Sequence, residues 1–264
     1  MNMAPLVTVI TVCRNAEATI GRTLQSVAEQ TYAPVEYIVV DGASTDATLE
    51  RIAACPAVTR WISEADNGIA DAFNKGIAMA RGEWVGILNA DDWYEPHTVS
   101  TIVHAAGDAD VVHGAVRYWD GDARKEVYYP NQSALRREMT INHPSVFVRR
   151  SVYEAVGGFD VTYKYAMDYE LMLRILAAGY RFRSVENAVL ANMRFGGASD
   201  VNWTAALGEV LRAKGRHFPA PLKNRAYFCL QLLRGKTRRL LEKYGCDEGV
   251  RAFRKRWSVM DKRK

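Results

Sequence analysis

The sequence predicts an α/β fold: a mostly parallel central sheet flanked by helices, followed by a helical, basic C-terminal extension. Three observations predict it. Short β-branched runs, Val7 to Val12 and Val35 to Val40, alternate with segments whose apolar residues recur at helical spacing. Each run is largely apolar, broken only by Thr8, Thr11 and Glu36, as strands covered on both faces require. Polar turns rich in Asp, Asn and Gly follow the runs, placing them at the edge where open α/β sheets bind ligands.

The elements follow in order. Val7 to Val12 reads as the first strand, and Arg14-Asn15 as its turn. Ala18 to Gln30 reads as a helix with Ile20, Leu24, Val27 and Ala28 on one stripe. Val35 to Val40 is the second strand. In the turn Asp41 to Asp46, Thr45 or Asp46 offers a cap for a helix through Ala53. Val58 to Ile62 is a short third strand, and Ile69 to Arg81 a helix. Trp84 to Leu88 is the next strand, then a helix follows Pro96, and Val111-Val112 starts another strand. This β-α-β-α alternation implies helices on both faces of a parallel sheet. From Tyr118 to Ile141 the pattern loosens, with Tyr128-Tyr129-Pro130 as an edge hairpin. A short helix covers Val152 to Val156, and a longer one Asp168 to Ala178, ended by Gly179. The sheet is expected to end near Leu190. Residues 1–200 are thus expected to form the main domain, split near 115 into two halves, and 201–264 the extension.

Composition bounds the function. The 264 residues are 48% hydrophobic and 25% charged, as in ordinary globular proteins. The four cysteines, Cys13, Cys55, Cys229 and Cys246, show no paired spacing. That argues against a disulfide framework or zinc site and fits a reducing cytoplasm. Met1 to Pro5 lacks the basic region of a signal peptide. No stretch approaches the roughly 20 apolar residues of a membrane span. The net charge of +5 is uneven: residues 201–264 hold 17 Lys and Arg against 5 Asp and Glu, and residues 1–200 carry a net −7. Such asymmetry points to a basic tail meeting an anionic surface.

The chemistry concentrates in Leu88-Asn89-Ala90-Asp91-Asp92-Trp93-Tyr94. Two adjacent carboxylates at a strand end make a poor core and a good seat for a hard divalent cation carrying a diphosphate. An exposed loop is the plain alternative, since turns accumulate Asp. Asp41, Asp66 and Asp168 also follow strand ends or open helices. Any one could be a cap, but several delivered to one sheet edge need a cation or hydrogen bonds to offset their repulsion.

In order and spacing, the chain resembles the family 2 glycosyltransferases. The resemblance rests on Val-Thr-Val-Ile-Thr-Val-Cys-Arg-Asn-Ala-Glu, Val-Asp-Gly-Ala-Ser-Thr-Asp-Ala-Thr, Asp-Asn-Gly-Ile-Ala-Asp-Ala-Phe-Asn-Lys-Gly and Leu-Asn-Ala-Asp-Asp-Trp-Tyr. His-Pro-Ser-Val-Phe-Val-Arg-Arg, Gly-Gly-Phe-Asp and Met-Asp-Tyr-Glu-Leu-Met-Leu-Arg complete it over roughly residues 6–190. The resemblance implies a GT-A, Rossmann-like fold and a hexosyltransferase-type enzyme. It would move one sugar, with inversion, from a nucleotide-diphosphate sugar, UDP-linked by expectation. It also implies roles. Asp41 would bind the base through its ring N–H, and Val12 to Arg14 would line the nucleotide pocket. Asp66 would lie near base or ribose, and Asp71, Asn74 and Lys75 would flank the donor. Asn89 and Asp91 would meet ribose and donor sugar, and Asp92 would hold Mn²⁺ or Mg²⁺. Asp168 would be the general base. Two departures stand out: Asn89 replaces the first carboxylate of the family's D-x-D motif, and Met167 stands where many relatives have Glu. Phe253-Arg254-Lys255-Arg256-Trp257 lacks the Gln of the processive members' motif, which implies one sugar per encounter.

Other residues carry two readings. His143 is an acceptor or diphosphate ligand, or a turn histidine held by Pro144. Trp93 and Tyr94 stack on a sugar or pack in the core. Gly157-Gly158 supplies a turn or a close approach for acceptor. Leu222 to Tyr244 is a basic amphipathic helix that lies on an anionic membrane or packs on the catalytic domain. The family's lipid-linked acceptors suggest a polyprenyl-diphosphate-linked saccharide and cell-surface polysaccharide biosynthesis. The enzyme would then be cytoplasmic and peripheral at the inner face of the membrane. Two rivals remain: a sugar-phosphate nucleotidyltransferase, against which the first turn lacks a Gly-rich phosphate loop, and a nucleic-acid-binding protein using the tail. The tail shows no nucleic-acid motif, so nucleic acid is not an expected partner.

Overall fold

The computed structural model describes residues 4–244 and 261–263. The Phe253 to Trp257 segment and Cys246 lie outside the described residues. β1 (Val7–Cys13) is central. It pairs in parallel with β2 (Val35–Asp41) on one side and with β4 (Trp84–Asn89) on the other. β3 (Arg60–Ser63) adds in parallel beyond β2. These four strands carry the apolar runs, and their order places every β-to-α turn at one edge.

On the other side of β4 the sheet changes character. β8 (Phe147–Arg149) runs antiparallel between β4 and β6 (Val111–Asp120). β7 (Ala123–Tyr129) forms the hairpin expected near Tyr128, and β10 (Asp261–Arg263) pairs antiparallel outside it. β9 (Phe182–Arg194) runs parallel to β6 and antiparallel to the two-residue β5 (Trp93–Tyr94). Among the described residues the sheet has ten strands. It extends past Leu190 because β9 continues to Arg194, bringing that residue beside the Asp91-Asp92 turn.

Alternation along β1 builds two cores, since successive strand side chains point to opposite faces. Ile10 and Val12 face α3 (Ile69–Met79), α5 (Arg150–Val156) and α6 (Met167–Ala177). Val7, Val9 and Cys13 face α1 (Ile20–Ala28), α2 (Thr48–Ala53) and α4 (Thr98–Ala106). Asp46, one of the two cap candidates, accepts the Thr48 N–H at 3.0 Å and opens α2.

The region after residue 200 packs on this body. After the short α7 (Ala198–Val201), α8 (Trp203–His217) lies on α6, and α9 (Pro221–Lys243) lies on α8. Glu170, fully buried, accepts from His217 Nε2 at 2.7 Å and from Arg174 at 2.9 Å. Among the described residues, no helix is long and apolar enough to cross a membrane.

Candidate active site

Strand register assembles the site. Cys13, Asp41 and Ser63 face one another across β1, β2 and β3, and Asn89 pairs with Val12 across β4. The four strand ends make one row, and the loops carrying Arg14, Asp66 and Asp91 leave from it.

At the β2 end, Asp41 is fully buried. It accepts from the Ser44 N–H at 2.9 Å, the Ser63 hydroxyl at 2.7 Å, the Ser44 hydroxyl and the Cys13 thiol. Burial, with Asp41 beside it, pushes the Cys13 thiol far up, so it stays protonated. The loops after β1 and β2 are strapped together: the Asn15 N–H donates to the Ser44 hydroxyl at 2.8 Å, and the Asn15 side chain accepts the Thr45 N–H at 2.9 Å. Asp41 therefore shapes this floor and has no surface of its own to offer a base. Asp66, half-buried, lies across Gly42. A Cβ at Gly42 would collide with Asp66 Oδ2, so glycine is what lets the two loops close. Asp66 Oδ1 accepts the Gly68 N–H at 2.8 Å.

The residues flanking this pocket are held by the protein itself. Lys75 Nζ sits 2.8 Å from Glu64 and donates to the Ala65 carbonyl at 2.9 Å. Glu64 holds its pKa above the ordinary lysine value. Asp71 caps the turn by accepting the Asn67 N–H at 3.0 Å. Asn74 clamps the backbone of Phe159 in both directions, at 2.7 and 2.9 Å, and Gly158 leaves room for it. Gly157, at φ +85°, supplies the left-handed turn.

At the β4 end the two adjacent carboxylates differ. Asp92 is 1% exposed; Oδ1 accepts the Arg194 N–H at 3.1 Å, and Oδ2 has no hydrogen-bond partner among the described residues. Burial, with Asp91 adding to it, raises its pKa well above the ordinary value. Asp91 is exposed at the rim. Crowding around its carboxyl group raises its pKa against the opposing charge of Arg194. Among the described residues, no three His, Cys, Asp or Glu side chains converge as a metal cage. A Mg²⁺ or Mn²⁺ shared with substrate phosphates needs only one or two carboxylates. Asp91, facing solvent, and the orphaned Asp92 oxygen beneath it fit that need. Of the two, Asp91 is the one a hydrated cation can reach.

Trp93 and Tyr94 are both buried, which settles them as packing residues. The Arg22 guanidinium lies 3.3 Å above the Trp93 ring.

Asp168 stands in the first turn of α6 and shares a narrow cleft with His143, Met139 and Phe159. The two titrate against each other. Burial raises the Asp168 pKa while His143 pulls it down, and burial lowers that of His143 while Asp168 pulls it up. His143 Nε2 is buried without a partner among the described residues. The structure thus brings His143 to the expected base. Sequence reasoning missed what holds that base. From α8, Glu209 accepts the N–H groups of Lys164, Tyr165 and Ala166 at 2.8 to 2.9 Å, fixing the entry to α6. It also missed Arg194, whose only signal was its place after an apolar run.

The ends of the parallel strands thus carry Asp41, Asp91 and Asp92, and a cleft joins Asp168 to His143; similarity to known proteins identifies the class. Residues 8–162 match Glycosyl transferase family 2, and the chain belongs to that family. It is similar to a PGL/p-HBAD biosynthesis glycosyltransferase of Mycobacterium bovis, 30% identical over 206 residues, covering 75% of this chain and 80% of that protein. The fold matches TarS of S. aureus with a TM-score of 0.64 at 17% identity, covering 87% of this chain and 43% of that one. It also matches the mannosyltransferase PcManGT of Pyrobaculum calidifontis, solved with GDP-Man and Mn²⁺, with a TM-score of 0.62 at 20% identity. That match covers 96% of this chain and 85% of that one. These structures carry the GT-A fold, and TarS has been solved with UDP and with UDP-GlcNAc. This protein is therefore a family 2 glycosyltransferase of GT-A fold.

Proposed function

We propose that this enzyme transfers one sugar, with inversion, from a nucleoside-diphosphate sugar to an acceptor hydroxyl. The observation that carries the reading is two carboxylate sites tied to one strand: exposed Asp91 beside buried Asp92 just past the end of β4, and Asp168 with His143 in a cleft that Ile87 of β4 also lines. The loops bearing Arg14 and Asp66 would cradle the nucleotide on the floor that Asp41 braces. A divalent cation on Asp91, with Asp92 below, would offset charge on the leaving diphosphate as a Lewis acid. Asp168 takes the proton of the attacking hydroxyl as the new bond forms. One in-line displacement inverts the anomeric carbon and needs no covalent enzyme nucleophile. The donor nucleotide in this reading is UDP or GDP, by analogy with the ligands of TarS and PcManGT.

The acceptor in this reading is a lipid-linked saccharide of a cell-surface polysaccharide pathway, met at the inner face of the cytoplasmic membrane. What supports it is the outer face of α9, where Leu222, Leu233, Leu240 and Tyr244 are 55 to 82% exposed beside Lys223, Arg225, Lys236 and Lys243. A ligand that binds only the folded state raises Tm by mass action. The test is the Tm of the protein with UDP, GDP and TDP, each with and without Mn²⁺. One nucleotide is expected to raise Tm in a metal-dependent way, and Asp91→Ala to abolish the metal dependence. No shift with any nucleotide would reject the reading.

A further inference from the structure

A cavity of about 590 Å³ separates α8 and α9 from the β6, β7 and β9 wall. Its chemistry is uneven. Tyr118, Phe195, Trp203, Tyr227 and Phe228 give it aromatic walls. Gly235 lets the Trp203 ring lie against α9, since a Cβ there would stand 2.5 Å from that ring. Six cationic side chains line the space against three carboxylates.

The carboxylates are already engaged. Asp200 holds Arg238 at 3.3 Å and Arg239 at 3.5 Å. Glu242 lies 3.6 Å from Arg238. Glu138 accepts the Tyr227 hydroxyl at 2.5 Å and lies 3.8 Å from Arg234. Lys214 is 5% exposed, and its ammonium donates to the Arg137 carbonyl at 3.1 Å while lying 4.4 Å from the Tyr227 ring centre. Among the described residues, no carboxylate forms an ion pair with it. Glu138, the carboxylate that acts on this ammonium, is shared with Tyr227 and Arg234, so the buried charge is only partly compensated; that is costly, and an anion entering the cavity would relieve the cost. Burial lowers the Lys214 pKa in keeping with this.

The cavity also reaches the reaction centre. Met139 lines both it and the cleft of His143 and Asp168. Tyr118 donates to Asn142, the neighbour of His143, at 3.1 Å. Arg194 lines the cavity while its backbone holds Asp92. An acceptor whose hydroxyl lies at Asp168 would place its body here.

We infer that this cavity is the acceptor site and selects an acceptor combining a sugar or aromatic ring with an anionic group, the rings packing on Trp203 and Tyr227 and the anion meeting Lys214. The inference rests on the reading of the chain as a transferase to an acceptor hydroxyl. The test uses the full chain and 1-naphthyl phosphate, read by quenching of tryptophan emission, against neutral 1-naphthyl glucoside and inorganic phosphate. The phosphate ester is expected to bind at least tenfold more tightly than the glucoside. Lys214→Met should lose that preference, and Ala206→Trp, which narrows the cavity, should weaken both aryl ligands. Saturating UDP with Mn²⁺ should not displace the ester, and Lys214→Met should keep the nucleotide-induced rise in Tm. Equal binding of charged and neutral probes overturns the inference, as does binding unchanged in both variants or displacement by UDP. A wild type that binds the ester through Lys214 yet shows no nucleotide shift would instead overturn the donor reading, and with it the assignment of this ligand as acceptor.

Discussion

In the proposed mechanism Asp168 and His143 set the pH response. Asp168 must be ionised to accept a proton, and burial lifts its pKa while His143 opposes the lift. Transfer should therefore fall as pH drops through a midpoint above the ordinary carboxylate value of about 4. His143→Gln removes the opposing charge and should move that midpoint higher, which a kcat/KM profile against pH reads directly; an unmoved midpoint would remove His143 from the proton chemistry. Asp168→Asn should lower kcat by about 10²- to 10⁴-fold, the usual scale of general-base catalysis, with the nucleotide-induced Tm shift intact. Asn74 makes a different kind of contribution. Asn74→Ala leaves the Phe159 N–H and C=O without their clamp. It should destabilise the fold by about 1–3 kcal/mol, the scale for a buried polar group left unpaired, as chemical denaturation would measure.

Among elements, α8 also acts on the site through a residue that does not line the acceptor cavity. Its Glu209 gathers three backbone N–H groups immediately before the turn that carries Asp168. Glu209→Ala should lower kcat while leaving nucleotide affinity unchanged, and Glu209→Gln, which keeps one acceptor, should recover part of the loss. Equal losses in kcat and nucleotide binding would mean general unfolding instead. Both α8 and the hairpin of β6 and β7 show how element pairing builds the cavity proposed for the acceptor. β8 enters antiparallel between β4 and β6, which ends the parallel half and turns the chain toward a new wall. The amphipathic reading of α9 captured its charge but not its direction. Arg234, Arg238 and Arg239 turn inward to the cavity, and Lys223, Arg225, Lys236 and Lys243 remain outside.

At the scale of the whole molecule, charge separation should govern where the enzyme works. The basic residues after 200 oppose a net-negative body. Each basic residue near anionic lipid contributes about 1 kcal/mol. The protein should cosediment with phosphatidylserine vesicles, release as salt rises, and bind less when Leu233 and Leu240 are both changed to Glu. Salt-independent binding, or equal binding to neutral vesicles, would argue that α9 is not the contact.

The parallel half of the fold was legible because its main strands are short, largely apolar and β-branched runs, and because each run ends in the polar turn that a sheet edge requires. Asp91, Asp168 and the flanking loops were legible for the same reason: local chemistry announces strand ends and helix starts. The expectation for Asp41 reached its position but not its exposure, because burial depends on how Ser44, Ser63 and Cys13 close around it. β5 and the length of β9 were illegible, since a two-residue strand and a mixed polar strand carry no periodicity and exist only through their pairing. By itself the sequence determined the strand-and-turn alternation, the carboxylates at its ends and the basic tail, all of which follow from local pattern. Only the tertiary structure decided which carboxylate faces the opening, that His143 meets Asp168, that Glu209 braces it and that α9 closes a cationic cavity. Those depend on contacts between residues far apart in the chain, whose distances no local pattern encodes.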